Sequence, residues 1–437
     1  MKIATLASLL FTSCLFSQTI QLIDTSDYKT RTEVIEKLES HYNSINSEIK
    51  QSYKGKMRRE MEFIYESSQA EFLESINHKK LIFNSPFNKY MDSVGSQIKE
   101  KNITLKDTDL VFFVAKDPLP NAFCMGDNTF VINIGLFSFF DNEYELLSVI
   151  SHEFAHQILK HGKKNIKRKA EANINILDRR SLTVRNISKN KYNRGSQSFA
   201  ILKNLLYEQG EIKRQQEIQA DSLGYIIFKS LNGQKSEFIN SLKKLVDIDS
   251  VPTEEVSKSV YKTVFDLPNL PFEESWFKSE NFDDYNYNFY TEKITQDSIS
   301  SHPEAIDRIN HLQQIFPELK ETFEAEKASK TYLKLKELAK KTRVENLYYL
   351  NEYGLSIYLI LYRLHQGIDV DYCKAWLGIN FEALFEAKKK YQLNRYVDRV
   401  VPNEQSKSYQ QFLNFIWNLK LNEIKTIAEH YSKTFSD

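Results

Sequence analysis

Cysteine is scarce in this sequence, with three residues in a chain of 437. Only Cys124 and Cys373 lie beyond the first few positions. Two cysteines cannot supply the framework that holds small exported domains together, so a disulfide-built fold is excluded. Cys124 lies between Phe123 and Met125, and we expect it to be a small packed residue rather than a nucleophile.

Long apolar runs and a strong net charge are also lacking. After the N-terminus, no stretch of the sequence is apolar enough to form a transmembrane helix. The formal net charge is +1. One segment, residues 163–194, is markedly basic, but Tyr192 is its single aromatic residue. Nucleic-acid binding is therefore not expected.

The basic segment 163–194 leaves several functions open. It could make peripheral contact with an anionic membrane surface, steer acidic substrates or form a mobile lid. The simplest interpretation is a solvated helix and loop.

The N-terminus predicts a secretory signal peptide that covers residues 1–17. Lys2 supplies the positive charge, and an apolar stretch follows up to Phe16. Cys14 leaves a lipoprotein alternative, although residues 11–13 are an unfavourable sequence before a lipidated cysteine. We therefore expect an exported protein that is periplasmic or secreted.

The most informative stretch of the sequence is the H-E-x-x-H run at residues 152–156. Residues four apart lie on one face of a helix, so His152 and His156 can reach a single metal ion. Glu153 would then be placed to take a proton from a water at the metal. Short motifs also arise by chance, but the surrounding apolar residues recur at helical spacing: Leu146, Val149, Ile150, Phe154 and Ile158.

A second acidic pattern follows downstream, because Glu217 and Asp221 are also four residues apart in a helical stretch. A catalytic zinc takes three protein ligands and keeps a fourth position for water. Glu217 can supply the third ligand, and Asp221 can orient a ligating histidine through a hydrogen bond. Acidic pairs at this spacing are usually solvated surface residues. Here a role at the metal is the better interpretation, because the pair follows an H-E-x-x-H helix. Glu208 and Glu211 are weaker candidates for the ligand.

From Phe87 to Phe316 the chain resembles the HtpX-like and CAAX-prenyl-protease type of gluzincin zinc metallopeptidases. Two further segments carry the resemblance. Residues 121–126, followed by the run 130–136, resemble the family's N-A-F segment and the strand that leads to its active-site helix. His302-Pro303 with Arg308-Ile309 resembles its late H-P-x-x-x-x-R-I motif.

The resemblance implies a zinc-dependent endopeptidase with one Zn²⁺ per chain. The implied ligands are His152, His156 and Glu217, with Glu153 as the general base. The resemblance also implies that Asn121, His302 and Arg308 line the site, where His302 and Arg308 would stabilise negative charge on the substrate carbonyl oxygen.

Two departures from the family pattern bear on function. Many members carry transmembrane helices around this core, whereas this chain shows none after its N-terminus, which favours the soluble members over membrane-embedded prenyl-protein processing. Residues 351–437 match nothing in the family and leave substrate selection open.

The predicted fold class is α+β, predominantly α, with a zincin-like metallopeptidase core, a small β-sheet and an all-α C-terminal region. After the signal peptide, an N-terminal helical segment covers residues 18–84, with a break at Gly55. The metallopeptidase domain is expected at residues 85–324 and a C-terminal helical domain at residues 325–437.

Two β-type runs, residues 110–115 and 129–134, predict the small sheet. An exposed sheet edge can bind an extended peptide through main-chain hydrogen bonds. We expect the second strand to bind substrate in this way, through Phe130, Val131, Ile132 and Asn133. An ordinary sheet strand is compatible with the same pattern.

The predicted function is a zinc metalloendopeptidase that acts on unfolded or misassembled polypeptides, with a role in envelope protein quality control. The alternative is a non-proteolytic envelope chaperone or assembly factor whose zinc site is occluded. In that alternative, His161 or a residue of the basic segment would fill the fourth coordination position.

Overall fold

The computed structural model describes residues 27–102, 109–177, 210–246, 254–278, 303–321, 326–401 and 405–433. The predicted signal peptide and residues 178–194 of the basic segment lie outside these ranges. Within the described residues, no helix combines the length and apolar character that crossing a membrane requires.

The described chain is mostly helical, with one four-stranded sheet, as the sequence predicts. The first six helices are α1 Tyr28–Ser52, α2 Gly55–Asn77, α3 Pro86–Lys101, α4 Gly135–Phe139, α5 Glu143–Ile158 and α6 His161–Leu177. The middle of the chain contributes α7 Gly210–Ser230, α8 Lys235–Val246, α9 Lys258–Phe265 and α10 Pro303–Ile315. The C-terminal region contributes α11 Lys330–Lys341, α12 Arg343–Tyr349, α13 Tyr353–Gln366, α14 Val370–Lys389, α15 Lys407–Asn418 and α16 Leu421–Lys433.

The sheet contains β1 Leu81–Ile82, β2 Val111–Ala115, β3 Ala122–Cys124 and β4 Thr129–Asn133, in the order β1-β2-β4-β3. β2 and β4 are parallel, and the other two pairs are antiparallel. β4 therefore lies between β2 and β3, with its main chain bonded on both sides. The prediction that residues 130–133 form an exposed, substrate-binding edge is wrong, because β3 takes the edge position.

Side chains of the two central strands alternate between two cores, as the period of a β-strand requires. Phe130 and Ile132 point into the core that contains α3 and α5. Phe113 and Val131 point to the opposite face, where α1 and α2 cover the sheet. The N-terminal hairpin, with its break at Gly55 (φ +60°), thus forms the outer layer over the sheet.

The hydrophobic cores divide the chain differently from the predicted boundary at residues 324 and 325. Tyr332, Leu335 and Ala339 of α11 pack into the core that contains α3 and α5. Conversely, residues 256–276 pack with the C-terminal helices. α13 is buried on almost all sides within this second core, as its apolar sequence predicts.

The outer layer allows a matched test of core packing on one helix. Phe72 of α2 is 2% exposed and packs edge-on against Phe113, with ring centroids 5.2 Å apart. Phe72→Ala should lower the free energy of unfolding by about 3–5 kcal/mol, because it leaves a cavity between the hairpin and the sheet. Phe63 of the same helix is 55% exposed, so Phe63→Ala should change it by less than about 0.5 kcal/mol. Equal losses in urea unfolding would contradict this packing.

Candidate metal centre

Helix α5 carries the H-E-x-x-H motif and has a well-defined start. The side chain of Asn142 accepts hydrogen bonds from the backbone N–H groups of Tyr144 and Glu145, at 2.9 and 3.1 Å. This cap satisfies two of the otherwise unpaired donors at the helix N-terminus. On the opposite side from α7, Phe154 stacks on Phe130 of β4, with ring centroids 4.4 Å apart. The sheet therefore fixes the position of the motif.

The two histidines of α5 and Glu217 of α7 converge on one point. The Nε2 atoms of His152 and His156 are 2.9 Å apart. The carboxylate of Glu217 reaches both of them, at 3.3 Å in each case. Two imidazole nitrogens and one carboxylate oxygen within 4.8 Å of one another form a donor set of the kind that holds zinc with a position left open.

Asp221 and Arg308 support these ligands from behind. Oδ1 of Asp221 lies 2.8 Å from Nδ1 of His152, the ring nitrogen that faces away from the convergence point. Arg308 of α10 donates two parallel hydrogen bonds to Asp221, at 2.6 and 2.7 Å. Its third nitrogen lies 3.3 Å from Glu217. Arg308 thus fixes both carboxylates in place.

This geometry corrects the role expected for Arg308. The sequence predicted that the guanidinium stabilises charge on the substrate carbonyl oxygen. In the structure it is directed at Asp221 and Glu217, on the protein side of the site. Arg308 therefore positions these two carboxylates and is not directed at the open side of the candidate site. The other residue assigned to that task, His302, lies outside the described residues.

The charges around the centre strongly favour a cation. Burial raises the pKa of Glu217, but His156 and Arg308 outweigh it and hold this pKa well below its usual value. Burial lowers the pKa of His152, but its contacts with Asp221 and Glu217 outweigh this and raise it to about 10. Positive charge is therefore favoured at this point, and a metal ion that binds here competes with a proton.

Glu153 lies at the boundary between α5 and the edge strand. It is buried, and its Oε2 accepts a hydrogen bond from the backbone N–H of Cys124 at 3.1 Å. Burial raises the pKa of Glu153, although His156 and His152 oppose the shift. Burial also raises the pKa of the Cys124 thiol well above its usual value, which agrees with a packed residue rather than a nucleophile. Asn121 is exposed immediately before β3.

His161 does not lie at the open side of the centre. Its Nδ1 is 2.9 Å from Nδ1 of His156, the nitrogen that faces away from Glu217. Its Nε2 lies 3.2 Å from the side-chain oxygen of Gln219. The sequence did not lead us to assign a role to Gln219. Its position between Glu217 and Asp221 is the feature that could have indicated one.

Helices α5 and α7 approach so closely because Gly224 has no side chain. A Cβ atom at this position would lie 2.9 Å from the Cα atom of His152. Real Cβ atoms do not come this close to backbone, so a larger residue must move one helix. The distance between the H-E-x-x-H face and Glu217 therefore depends on this glycine.

We expect Gly224→Ala to lower metal affinity by about 10-fold or more, since it displaces His152 relative to Glu217. Gly378 is a control at another helix contact, where a Cβ would lie 3.1 Å from the backbone of residues 431 and 432. Gly378→Ala should cost stability but leave metal affinity unchanged. Isothermal titration of both variants measures their metal affinities. Equal affinities would contradict a role for Gly224 in setting the distance between the two helices.

Arg308→Lys keeps the positive charge but loses the paired hydrogen bonds to Asp221. We expect about a 10- to 100-fold loss of metal affinity, because Asp221 would no longer hold His152 in one orientation. Competition with a chelator of known affinity measures this effect. Unchanged affinity would show that charge alone suffices at this position.

Comparisons with known proteins identify the family of this chain. A segment of 111 residues, 25% of this chain, is 29% identical to a protein of Vibrio cholerae serotype O1 whose name describes a beta-barrel assembly-enhancing protease. The match spans only 22% of that protein's length. The model of Peptidase family M48 matches residues 87–316, just over half of the chain. The predicted resemblance is confirmed: the chain belongs to peptidase family M48, the HtpX-like metallopeptidases, and its core has their zincin-like fold.

Proposed function

We propose that this protein is a zinc-dependent metalloendopeptidase. The observation that carries the proposal is the convergence of His152 Nε2, His156 Nε2 and the Glu217 carboxylate beside buried Glu153. Glu153 is not needed to hold the ion, whereas hydrolysis needs a base beside the metal.

The chemistry divides between the metal and this chain. When bound, zinc supplies a Lewis acid that polarises the scissile carbonyl and makes water acidic enough to react near neutral pH. Glu153 takes the proton from the attacking water and later delivers it to the departing amine. Its raised pKa suits both transfers, because a base with a pKa closer to the working pH also releases its proton readily. No acyl-enzyme forms, so serine- and cysteine-directed inhibitors should have no effect.

We place the substrate along β3 instead of β4. Asn121 C=O and Met125 N–H bond to β4, each at 2.9 Å. Main-chain groups alternate along an antiparallel strand, so those of Ala122 and Cys124 face away from β4, towards the site. The Cys124 N–H donates to Glu153. An extended peptide that pairs with the remaining outward groups would lie beside the metal centre, with little dependence on its sequence.

This mode of binding favours polypeptides that are unfolded or misassembled, because they present extended segments more readily than a folded chain does. A role in the quality control of envelope proteins, at a periplasmic or secreted location, fits the N-terminal sequence and the name of the Vibrio relative. The basic segment 163–194 remains a candidate for peripheral membrane contact. In its described part, Lys164, Lys167 and Arg168 of α6 line a groove beside α7.

The non-proteolytic alternative is not favoured. It required His161 or a residue of the basic segment 163–194 in the fourth coordination position. The His161 ring contacts His156 from the side away from Glu217, and residues 178–194 lie outside the described residues. An intact base, Glu153, also lies at the centre.

Two variants separate metal binding from hydrolysis. Glu153→Gln should bind one zinc ion and lower the rate of casein cleavage by about 100- to 10,000-fold, because it removes only the base. Glu217→Gln should lose both zinc and cleavage, and a chelator should abolish cleavage by the wild type. Metal analysis and a casein assay on the same samples give the answer. Near-normal cleavage by Glu153→Gln would refute the assigned base.

A further inference from the structure

We infer that His161 and Gln219 form a hydrogen-bonded relay that fixes the ring of His156, so that His161 is a positioning residue for the metal centre. The inference rests on the proposed metal site. It concerns a pair of side chains whose chemistry the H-E-x-x-H motif and its acidic partners leave unexplained.

The chain geometry places His161 behind His156. Helix α5 ends at Ile158, and Lys160 adopts a left-handed backbone conformation (φ +56°) before α6 begins at His161. This reversal folds the first residue of α6 back onto α5. The His161 ring is 2% exposed and meets His156 edge-on, with ring centroids 5.0 Å apart.

The proton arrangement follows from the use of His156 as a ligand. If Nε2 of His156 holds a metal, its lone pair is taken and its proton lies on Nδ1. The neighbouring nitrogen, Nδ1 of His161, is 2.9 Å away and must then accept this proton. His161 consequently carries its own proton on Nε2, which lies 3.2 Å from the carbonyl oxygen of Gln219. One assignment of tautomers satisfies every contact in the relay.

The two ligating histidines are thus oriented by different chemistry. His152 is held by a carboxylate, Asp221, whose charge is matched by Arg308. His156 is held by an uncharged pair. A second carboxylate behind His156 would add another negative charge to the buried centre, and the relay avoids that cost while still fixing the ring.

The members of the relay should differ in importance. His161 is buried and makes the direct contact with the ligand, so replacement by leucine leaves Nδ1–H of His156 without an acceptor. Gln219 is exposed at the outer end, where water can replace its oxygen. Loss of Gln219 should therefore have the smaller effect.

The test compares zinc affinity by chelator competition, together with thermal stability, in four variants. We expect His161→Leu to weaken zinc binding by about 10- to 100-fold and Gln219→Leu to weaken it by less. His161→Asn should stay within about threefold of the wild type, because its amide oxygen can accept from Nδ1 of His156. Ile166→Ala is the matched control, since Ile166 seats the same helix against α1 and α2 without touching the ligands. It should lower thermal stability and leave affinity unchanged.

Equal losses of affinity in His161→Leu and His161→Asn, or a comparable loss in Ile166→Ala, would overturn the relay and leave His161 a packing residue. The visible spectrum of the cobalt-loaded proteins gives a second readout, because it reports ligand geometry and should change in His161→Leu but not in His161→Asn. If His161→Leu binds zinc as tightly as the wild type does, this inference is overturned but the proposed function is not. A wild type that binds no metal would overturn the proposed function as well.

Discussion

The close packing of α5 against α7 is the constraint on which the centre depends. Each helix carries its functional residues four apart, so each presents them on a single face. Neither face can hold a metal alone. The absence of a side chain at Gly224 lets the two faces meet, and Arg308 then ties the acidic face to α10. On the other side of α5, the stacking of Phe154 on Phe130 fixes the position of the motif relative to the sheet.

Electrostatics explains why this packed arrangement requires a cation. Asp221 and Glu217 both have lowered pKa values in spite of their burial, so both are ionised at neutral pH. Arg308 matches one of these charges. Burial lowers the pKa of His152, but Asp221 and Glu217 together raise it to about 10, so positive charge is favoured at this point. Metal and proton compete for the same ring nitrogens, so binding a metal releases protons.

The parts of the site that could be predicted from the sequence are those fixed by local spacing. The H-E-x-x-H residues, Glu217 and Asp221 lie on helices whose period can be read directly, and the structure brings them together. The position of β4 could not be predicted, because strand order depends on pairing between distant segments. The contacts of Arg308 and Gln219 could not be predicted either, since their partners, Asp221 and His161, lie 87 and 58 residues away along the chain. The packing of α11 in the core that contains α3 and α5 could not be predicted for a related reason, because it joins segments that are far apart along the chain.

The most direct test of the metal centre is anomalous X-ray scattering at the zinc edge from crystals grown with one equivalent of zinc. We expect one strong peak about 2.0–2.2 Å from Nε2 of His152, Nε2 of His156 and a carboxylate oxygen of Glu217. A peak at another group of residues, or a site in which Glu217 is not a ligand, would contradict the account.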